Sequence, residues 1–433
     1  MLKYTQAYTM FKEMIADGRL RRGERMPSIR RAAELYRISR TTVQNAYFQL
    51  AAEGYIYAKP QSGYFVAGGP KAPATPMPRP QVQTPPRLDL TGNSADLSSF
   101  DFSLWQRYIK SALRQRQRLL TYSEPQGEYD LRCALADYVR ERRNVVTAPE
   151  HIVVGAGVQM LEILCVLLKG RRTVSFPDGS FVQGSTVFAA HGYTVRTRYK
   201  DADIIYVSPS HMNRQGDVMP IQRRLELCAH SADTGAVVIE DDFENDFLYS
   251  SPPPPSLYAL GSGNVVYMGA FSALLLPGIR ISFMVLSPAL AAAYHQMKDT
   301  FAQTASKTEQ IALCAYLRDG NMKSRTKKIR RLYTGKAKTL CALLAKALPD
   351  HPVRVGENGL QVQIETPMLP DNAPFEQAGL ALYIVKEKSG KNIVVVSPSA
   401  VPADRLEEAA HAVAAALYKA EEAAKAKQSK DIY

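Results

Sequence analysis

The chain is poor in the residues that build metal centres and disulfide frameworks. It holds five cysteines and seven histidines in 433 residues. Cys133, Cys165, Cys228, Cys314 and Cys341 lie far apart with no Cys-x-x-Cys pair. A disulfide scaffold or a clustered zinc site is therefore not expected, and the thiols read as reduced and buried. No run of eighteen apolar residues occurs, and the N-terminus opens on a polar amphipathic segment instead of a charged-then-apolar leader. Membrane insertion and secretion are disfavoured, so a cytoplasmic protein is expected. Acidic residues are also in deficit, 41 against 54 Lys and Arg, for a formal charge of +13 and a pI near 9.4. Such a balance favours polyanionic partners.

What is present is enough apolar material, 46% of residues, for folded cores. The length exceeds one ordinary core and predicts two or three domains. From Met1 to Val66 there are eleven Lys and Arg against five Asp and Glu, so about half of the excess charge lies in the first seventh of the chain. Between Ala67 and Arg87 prolines recur too densely for a helix or an inner strand. The segment 68–87 reads as a semi-stiff linker between a domain at 1–67 and a larger one at 88–433.

In the first domain Tyr8, Phe11, Met14 and Ile15 share one face of a helix over 5–18, which Gly18 ends. Ser28 is placed to cap a second helix, Ile29 to Tyr36, and Ser39 a third, Arg40 to about Glu53. Helix, short turn, helix is the spacing of a DNA-reading pair. The first turns of the third helix carry Arg40, Thr41, Thr42, Gln44 and Asn45, residue types that contact groove edges. Residues 54–66 then read as a β-hairpin with a polar tip, a wing. Through Met26-Pro27-Ser28-Ile29-Arg30, Ser39-Arg40-Thr41-Thr42-Val43 and Ser62-Gly63-Tyr64-Phe65-Val66 the segment resembles GntR-type winged helices. The resemblance implies DNA contacts at Arg30, Ser39, Arg40, Thr41, Thr42, Gln44, Gln61, Ser62 and Gly63. Lys59 and Gln61 depart from the Arg and Gly usual in the wing. The competing reading of Arg30, Arg31 and Arg40 is a solvated helix face.

Beyond the linker, amphipathic helices alternate with short apolar runs at 151–154, 173–176, 204–207, 237–240 and 265–268. That predicts an α/β domain with a mostly parallel sheet, and a small α+β subdomain from about 349 to 433 ending in a helix from Pro402 to about Lys427. Tyr122-Ser123-Glu124-Pro125-Gln126-Gly127, Val154-Gly155-Ala156-Gly157-Val158-Gln159, Ser208-Pro209-Ser210-His211 and Ile239-Glu240-Asp241-Asp242-Phe243 resemble fold-type-I pyridoxal-phosphate aminotransferases, as does the run from Tyr267 to Arg280. Behind a GntR-like reader, the arrangement resembles MocR-type regulators.

The resemblance implies a ligand pocket of Tyr122, Gly157, Val158, Gln159, Phe181, Asn213, Asp241, Phe243, Ser272 and Arg280. Gly157 to Gln159 and Arg280 would hold a phosphate, Asp241 the ring nitrogen, Asn213 the ring oxygen and Phe181 the ring face. Tyr122 would reach a phosphate across a dimer interface. Where the family carries its Schiff-base lysine this chain has Ala273, and Ala270 and Phe243 stand for a threonine and a tyrosine. No arginine suited to clamp a substrate carboxylate is evident near 392–396. Asp241 could instead cap a helix, and Arg280 could be a structural ion-pair partner.

Together these readings predict a homodimeric, head-to-tail regulator of double-stranded DNA without catalytic residues or metal. A small effector, or pyridoxal phosphate held non-covalently, would occupy the old cofactor cleft. Two alternatives stay open: a pyridoxal-phosphate-sensing regulator carrying a deliberate Lys→Ala change at 273, and an aminotransferase with a fused reader.

Overall fold

A computed structural model describes residues 3–68, 86–242, 255–261, 263–368, 370–386 and 392–430. The chain divides into two compact units, Met1–Thr84 and Pro85–Tyr433.

The first unit contains α1 (Lys3–Ala16), α2 (Ile29–Tyr36), α3 (Arg40–Ala52), β1 (Ile56–Lys59) and β2 (Gly63–Val66). Ser28 accepts the Arg31 N–H at 3.2 Å and Ser39 the Thr42 N–H at 3.1 Å, so both serines cap the helices they precede. Between these helices Arg37 takes the left-handed conformation that glycine usually supplies, with φ 52°. This reverses the chain in three residues. Phe11 sits at the centre, fully buried, with the rings of Tyr36 and Tyr47 edge-on at 5.3 and 5.2 Å. The Tyr47 hydroxyl donates to the Pro27 carbonyl at 2.9 Å, which ties α3 to the loop before α2. The first helix ends at Ala16, two residues before Gly18, which has φ 81°.

Between α1 and α2, Met26 N–H bonds the Tyr64 carbonyl (2.8 Å) and Val66 N–H the Glu24 carbonyl (2.9 Å). The wing thus has a third edge.

The second unit is built on a seven-stranded sheet: β4 (Ile152–Gly155), β5 (Thr173–Phe176), β6 (Thr194–Thr197), β7 (Ile204–Val207), β8 (Val237–Asp241), β9 (Val265–Ala270) and β10 (Ser282–Val285), preceded in sequence by the short β3 (Leu88–Asp89). The spatial order is β4-β10-β9-β8-β7-β5-β6. Only β10 runs antiparallel to its neighbours. Helices α4 (Phe102–Arg114), α5 (Arg116–Leu119), α6 (Tyr129–Arg143), α7 (Gln159–Leu167), α8 (Val182–Ala190), α9 (Ile221–Thr234), α10 (Leu257–Leu260), α11 (Pro288–Met297), α12 (Lys307–Arg318) and α13 (Asn321–Ala347) accompany it.

Alternation along the strands feeds two cores. Ile152, Val154, Tyr267, Phe283 and Val285 pack with Trp105, Leu135 and Ile311, whereas Val153, Val266, Met268 and Met284 pack with Leu161, Leu164, Phe188 and Tyr294. Burial on both faces explains why the strands read as continuous apolar runs. β6 escapes the sequence pattern because it is an edge strand with mostly exposed residues.

The small lobe is an antiparallel sheet of β11 (Val353–Val355), β12 (Val362–Thr366), β15 (Asn392–Val396) and β14 (Tyr383–Lys386), in that spatial order. Helix α14 (Ala373–Gln377) precedes β13 (Leu380–Ala381), which pairs with β3, and α15 (Leu406–Lys430) ends the chain's described part. The core of this lobe extends beyond 349–433. It also takes Ala337, Leu340 and Leu344 from α13, and Leu88 and Leu90 from the segment that follows the linker. A buried ion pair between Lys336 and Asp96 at 2.5 Å, with Lys336 also donating to the Val401 carbonyl, pins that segment.

Candidate functional site

On the reader, the capped start of α3 presents Ser39, Arg40, Thr41, Gln44 and Asn45 to solvent, while Val43, Ala46, Tyr47 and Leu50 face inward. Ser39 is occupied by its cap and by a 2.7 Å contact with the Thr42 hydroxyl, so Thr42 is half-buried and locally committed. Arg30 is exposed on α2, and its guanidinium lies 3.4 Å from Glu34 one turn on. At the wing tip Gln61 (φ 59°) and Gly63 (φ 94°) make the turn, with Ser62 half-buried between them. Lys59 is held over the Phe65 ring at 5.1 Å. Arg25, exposed beside Gly63, is a basic residue that the sequence reading did not single out; only the pairing of 24–26 with β2 brings it to the wing.

In the second unit the carboxyl ends of β5, β7 and β8 open into a cavity of about 630 Å³. Phe181, Tyr206, Ser208, His211, Arg214 and Asp241 line one part of it, and Thr91, Asn93, Tyr383 and Ser397 of the small-lobe side another. Phe181 and Asp241 were read from the sequence. Their rings and carboxylate meet through Tyr206, whose ring lies 5.2 Å from Phe181 and whose hydroxyl donates to Asp241. Burial, reinforced by the Asp241 charge, pushes the Tyr206 hydroxyl well above its ordinary range, so it stays a donor.

The acidic run at the end of β8 divides by strand alternation. Asp242 turns away from the cavity and accepts Arg143 Nε at 2.5 Å, the Tyr267 hydroxyl at 2.8 Å and the Ser210 hydroxyl at 3.2 Å. Glu240 accepts the N–H groups of Leu257 and Tyr258. Its carboxyl is pushed up, to about 7, by burial and then by Asp242, against the pull of Arg143. Glu240 and Asp242 are thus structural, which leaves Asp241 for the cavity.

The remaining residues read from the sequence are distributed differently. Gly157, Val158 and Gln159 lead into α7, and Arg280 (φ 51°) lies directly over Gly157: a Cβ there would stand 2.5 Å from Arg280 Nη2. Arg280 is exposed and pairs with no carboxylate among the described residues. Gly155, Ala270 and Ser282 are neighbours in register, which puts Gly157, Ser272 and Arg280 at the same end of the sheet as Asp241, although none of the three lines the cavity.

Asn213 is not among the residues lining the cavity. Its amide donates to Asp217 at 2.7 Å and its oxygen accepts Gln215 N–H at 3.1 Å, closing a turn. Tyr122 is fully exposed and borders a separate hollow with Pro125, Phe301 and Lys307. Ala273 packs half-buried against the core that holds Trp105, Leu135 and Phe271. Phe243 lies outside the described residues.

No lysine lines the cavity among the described residues. Lys307 donates to the Thr121 hydroxyl and the Tyr122 carbonyl and pairs with Glu128 at 3.6 Å, Lys298 borders another hollow, and Lys169 is exposed. Sequence reasoning missed Tyr206, Arg214 and Tyr383. Tyr206 is hidden in an apolar strand run, and the other two come together only through the meeting of the lobes. No group of three or more His, Cys, Asp or Glu among the described residues is arranged to hold a metal ion, and no helix there is long and apolar enough to cross a membrane.

Comparison with known proteins accords with this division. Residues 3–66 match the family of bacterial regulatory proteins of the gntR type, and residues 89–402 match the aminotransferase class I and II family. The HTH-type transcriptional regulator YhdI of Bacillus subtilis is 35% identical over 83% of this chain and 82% of its own length. The probable rhizopine catabolism regulatory protein MocR of Rhizobium meliloti is 28% identical over 83% and 80%. An archaeal alanine:glyoxylate aminotransferase superposes with a TM-score of 0.69 at 20% identity, covering 77% of this chain and 91% of that one, which shows a shared fold. A capped reading helix with a wing, joined to an aminotransferase fold and related over most of its length to helix-turn-helix regulators, makes this chain a member of the MocR-type DNA-binding transcription regulators.

Proposed function

We propose that this regulator has given up amino transfer and uses its aminotransferase-like domain to sense a small molecule and to dimerise. The observation that carries the reading is a cavity that keeps Phe181, Tyr206 and Asp241 while the position of the family's lysine is Ala273. An alanine methyl can neither link to an aldehyde nor carry a proton. The donors present fit non-covalent holding of pyridoxal phosphate: Asp241 toward the ring nitrogen, Phe181 against the ring, Arg280 and the amides of 157–159 toward the phosphate. Bound there, the cofactor would supply an electron-poor ring; the chain's residues would only hold and orient it. The test is a titration with pyridoxal phosphate read by absorbance, Trp105 fluorescence and thermal stability. Saturable stabilisation without a lysine-linked absorbance band is expected. Amino transfer above the buffer rate would sink the proposal.

DNA is read by Arg40, Thr41 and Gln44 in the major groove and by Gln61 and Gly63 at the wing, with Arg30 on the backbone. Such a partner supports a cytoplasmic protein. A homodimer is supported by large apolar side chains left exposed between residues 97 and 129, among them Leu97 at 80%, Leu120 at 86% and Tyr122 at 102%. A second copy, arranged head to tail, would cover them and bring Tyr122 toward its partner's cavity. Sedimentation at micromolar concentration should give a dimer that Leu120→Asp dissociates.

A further inference from the structure

Arg214 is the one arginine or lysine lining the cavity among the described residues. It is half-buried, it sits over the Tyr383 ring with its guanidinium carbon 3.8 Å from the centroid, and Nη2 donates to the Ser180 carbonyl at 3.1 Å. No carboxylate among the described residues pairs with it. A guanidinium seated on a ring and held at one nitrogen keeps its other donors for a planar anion. Asp178 and Asp241 share the cavity wall, so a doubly charged phosphate is disfavoured relative to a single carboxylate, with or without an ammonium group to answer the aspartates.

Tyr383 also touches the segment that follows the linker. Asn93 donates its amide to the Tyr383 hydroxyl at 3.1 Å. The strap Leu90–Ser94 forms part of the cavity wall and is held taut: Asp89 accepts the Thr91 and Ser94 hydroxyls, Leu90 N–H bonds the Ala381 carbonyl at 2.8 Å, and Ser397 N–H bonds the Leu90 carbonyl at 2.8 Å.

We propose that Arg214 anchors a small monocarboxylate in this cavity, and that Tyr383 passes its occupancy through Asn93 to the strap at the base of the linker. The proposal rests on the sensing role above and names its ligand class and its output. An anion drawing Arg214 off the Tyr383 ring changes the ring's position and with it the Asn93 bond, a differential contact of the kind regulation requires.

The experiment uses the full chain and propionate, benzoate and β-alanine as probes, with propionamide, benzamide and inorganic phosphate as controls. Calorimetry and thermal shift are followed by hydrogen exchange of residues 88–96. At least one acid should bind saturably and better than its amide and than phosphate. Arg214→Gln should weaken it at least about tenfold, with Arg214→Lys in between. Tyr383→Phe, which keeps the ring and removes the hydroxyl, should still bind the acid saturably yet lose the ligand's effect on exchange at 90–94. Equal binding of acid and amide, no binding by any acid, phosphate binding that Arg214→Gln weakens more than it weakens the acid, or an unaltered Arg214→Gln protein would each overturn the anchor. An exchange response surviving in Tyr383→Phe would overturn the relay. Binding of duplex DNA is measured on the same samples: its absence in the parent protein sinks the regulator reading without touching the carboxylate result.

Discussion

The reader and the aminotransferase-like domain reach function by opposite routes. In the reader, one contiguous stretch of about sixty residues supplies core, caps and contact surface, and each residue type announces its place by local pattern. In the larger domain the cavity gathers Thr91, Phe181, Tyr206, Arg214, Asp241, Tyr383 and Ser397, residues spread over most of the chain and over two lobes. The lesson is that surface function on a small helical unit follows local pattern, whereas a cleft belongs to topology.

Breaking the reader alone should give the largest effect. Phe11→Ala opens a cavity among Tyr36, Tyr47 and Leu50, at a cost of about 3–5 kcal/mol. A small domain has little more than that to lose. Calorimetry should show the reader's transition lost and that of the second unit unmoved, with DNA binding abolished. Next, Arg40→Ala should weaken binding of the preferred DNA site by about 1–3 kcal/mol and relax discrimination at one base pair, read by competition with unrelated duplex.

On the cleft side, Gly157→Ala forces a methyl against Arg280 at a residue with φ 54°. It should weaken pyridoxal phosphate, measured by titration, several-fold while leaving DNA affinity as it was, which sharpens the separation of the two regions. Ser39→Ala removes the α3 cap and should cost about 1 kcal/mol, visible as a lowered melting temperature of the reader.

The smallest effect concerns the thiols. Cys165, Cys228 and Cys314 are buried, whereas Cys133 and Cys341 are only partly so, a correction to the uniform burial read from the sequence. Burial pushes Cys165 up to about 12 and Cys314 up to about 11. A raised thiol holds its proton, so raising pH from neutral to mildly alkaline should leave both unreactive toward a thiol reagent, with Cys133 labelling first in the native protein.

The helix pair, its two serine caps and the wing were legible because apolar period and capping chemistry act between near neighbours. Five of the seven strands of the large sheet were legible as apolar runs, and Asp241 and Phe181 through motif resemblance. The turn that Asn213 closes with Asp217 was not legible, because its residue type suits a ligand as well as it suits a turn. Arg214 and Tyr383 carried no signal at all, since cation and ring are far apart in sequence and meet only across the lobes.

By itself, then, the sequence determined that a basic winged reader precedes an aminotransferase fold and that the lysine's place holds an alanine, because periodicity, capping and residue identity are local properties. Tertiary structure alone decided which acidic residue of 240–242 faces the cavity, which arginine lines it and that the strap after the linker forms its wall. Those depend on strand direction and lobe contact, which bring distant residues within hydrogen-bond reach.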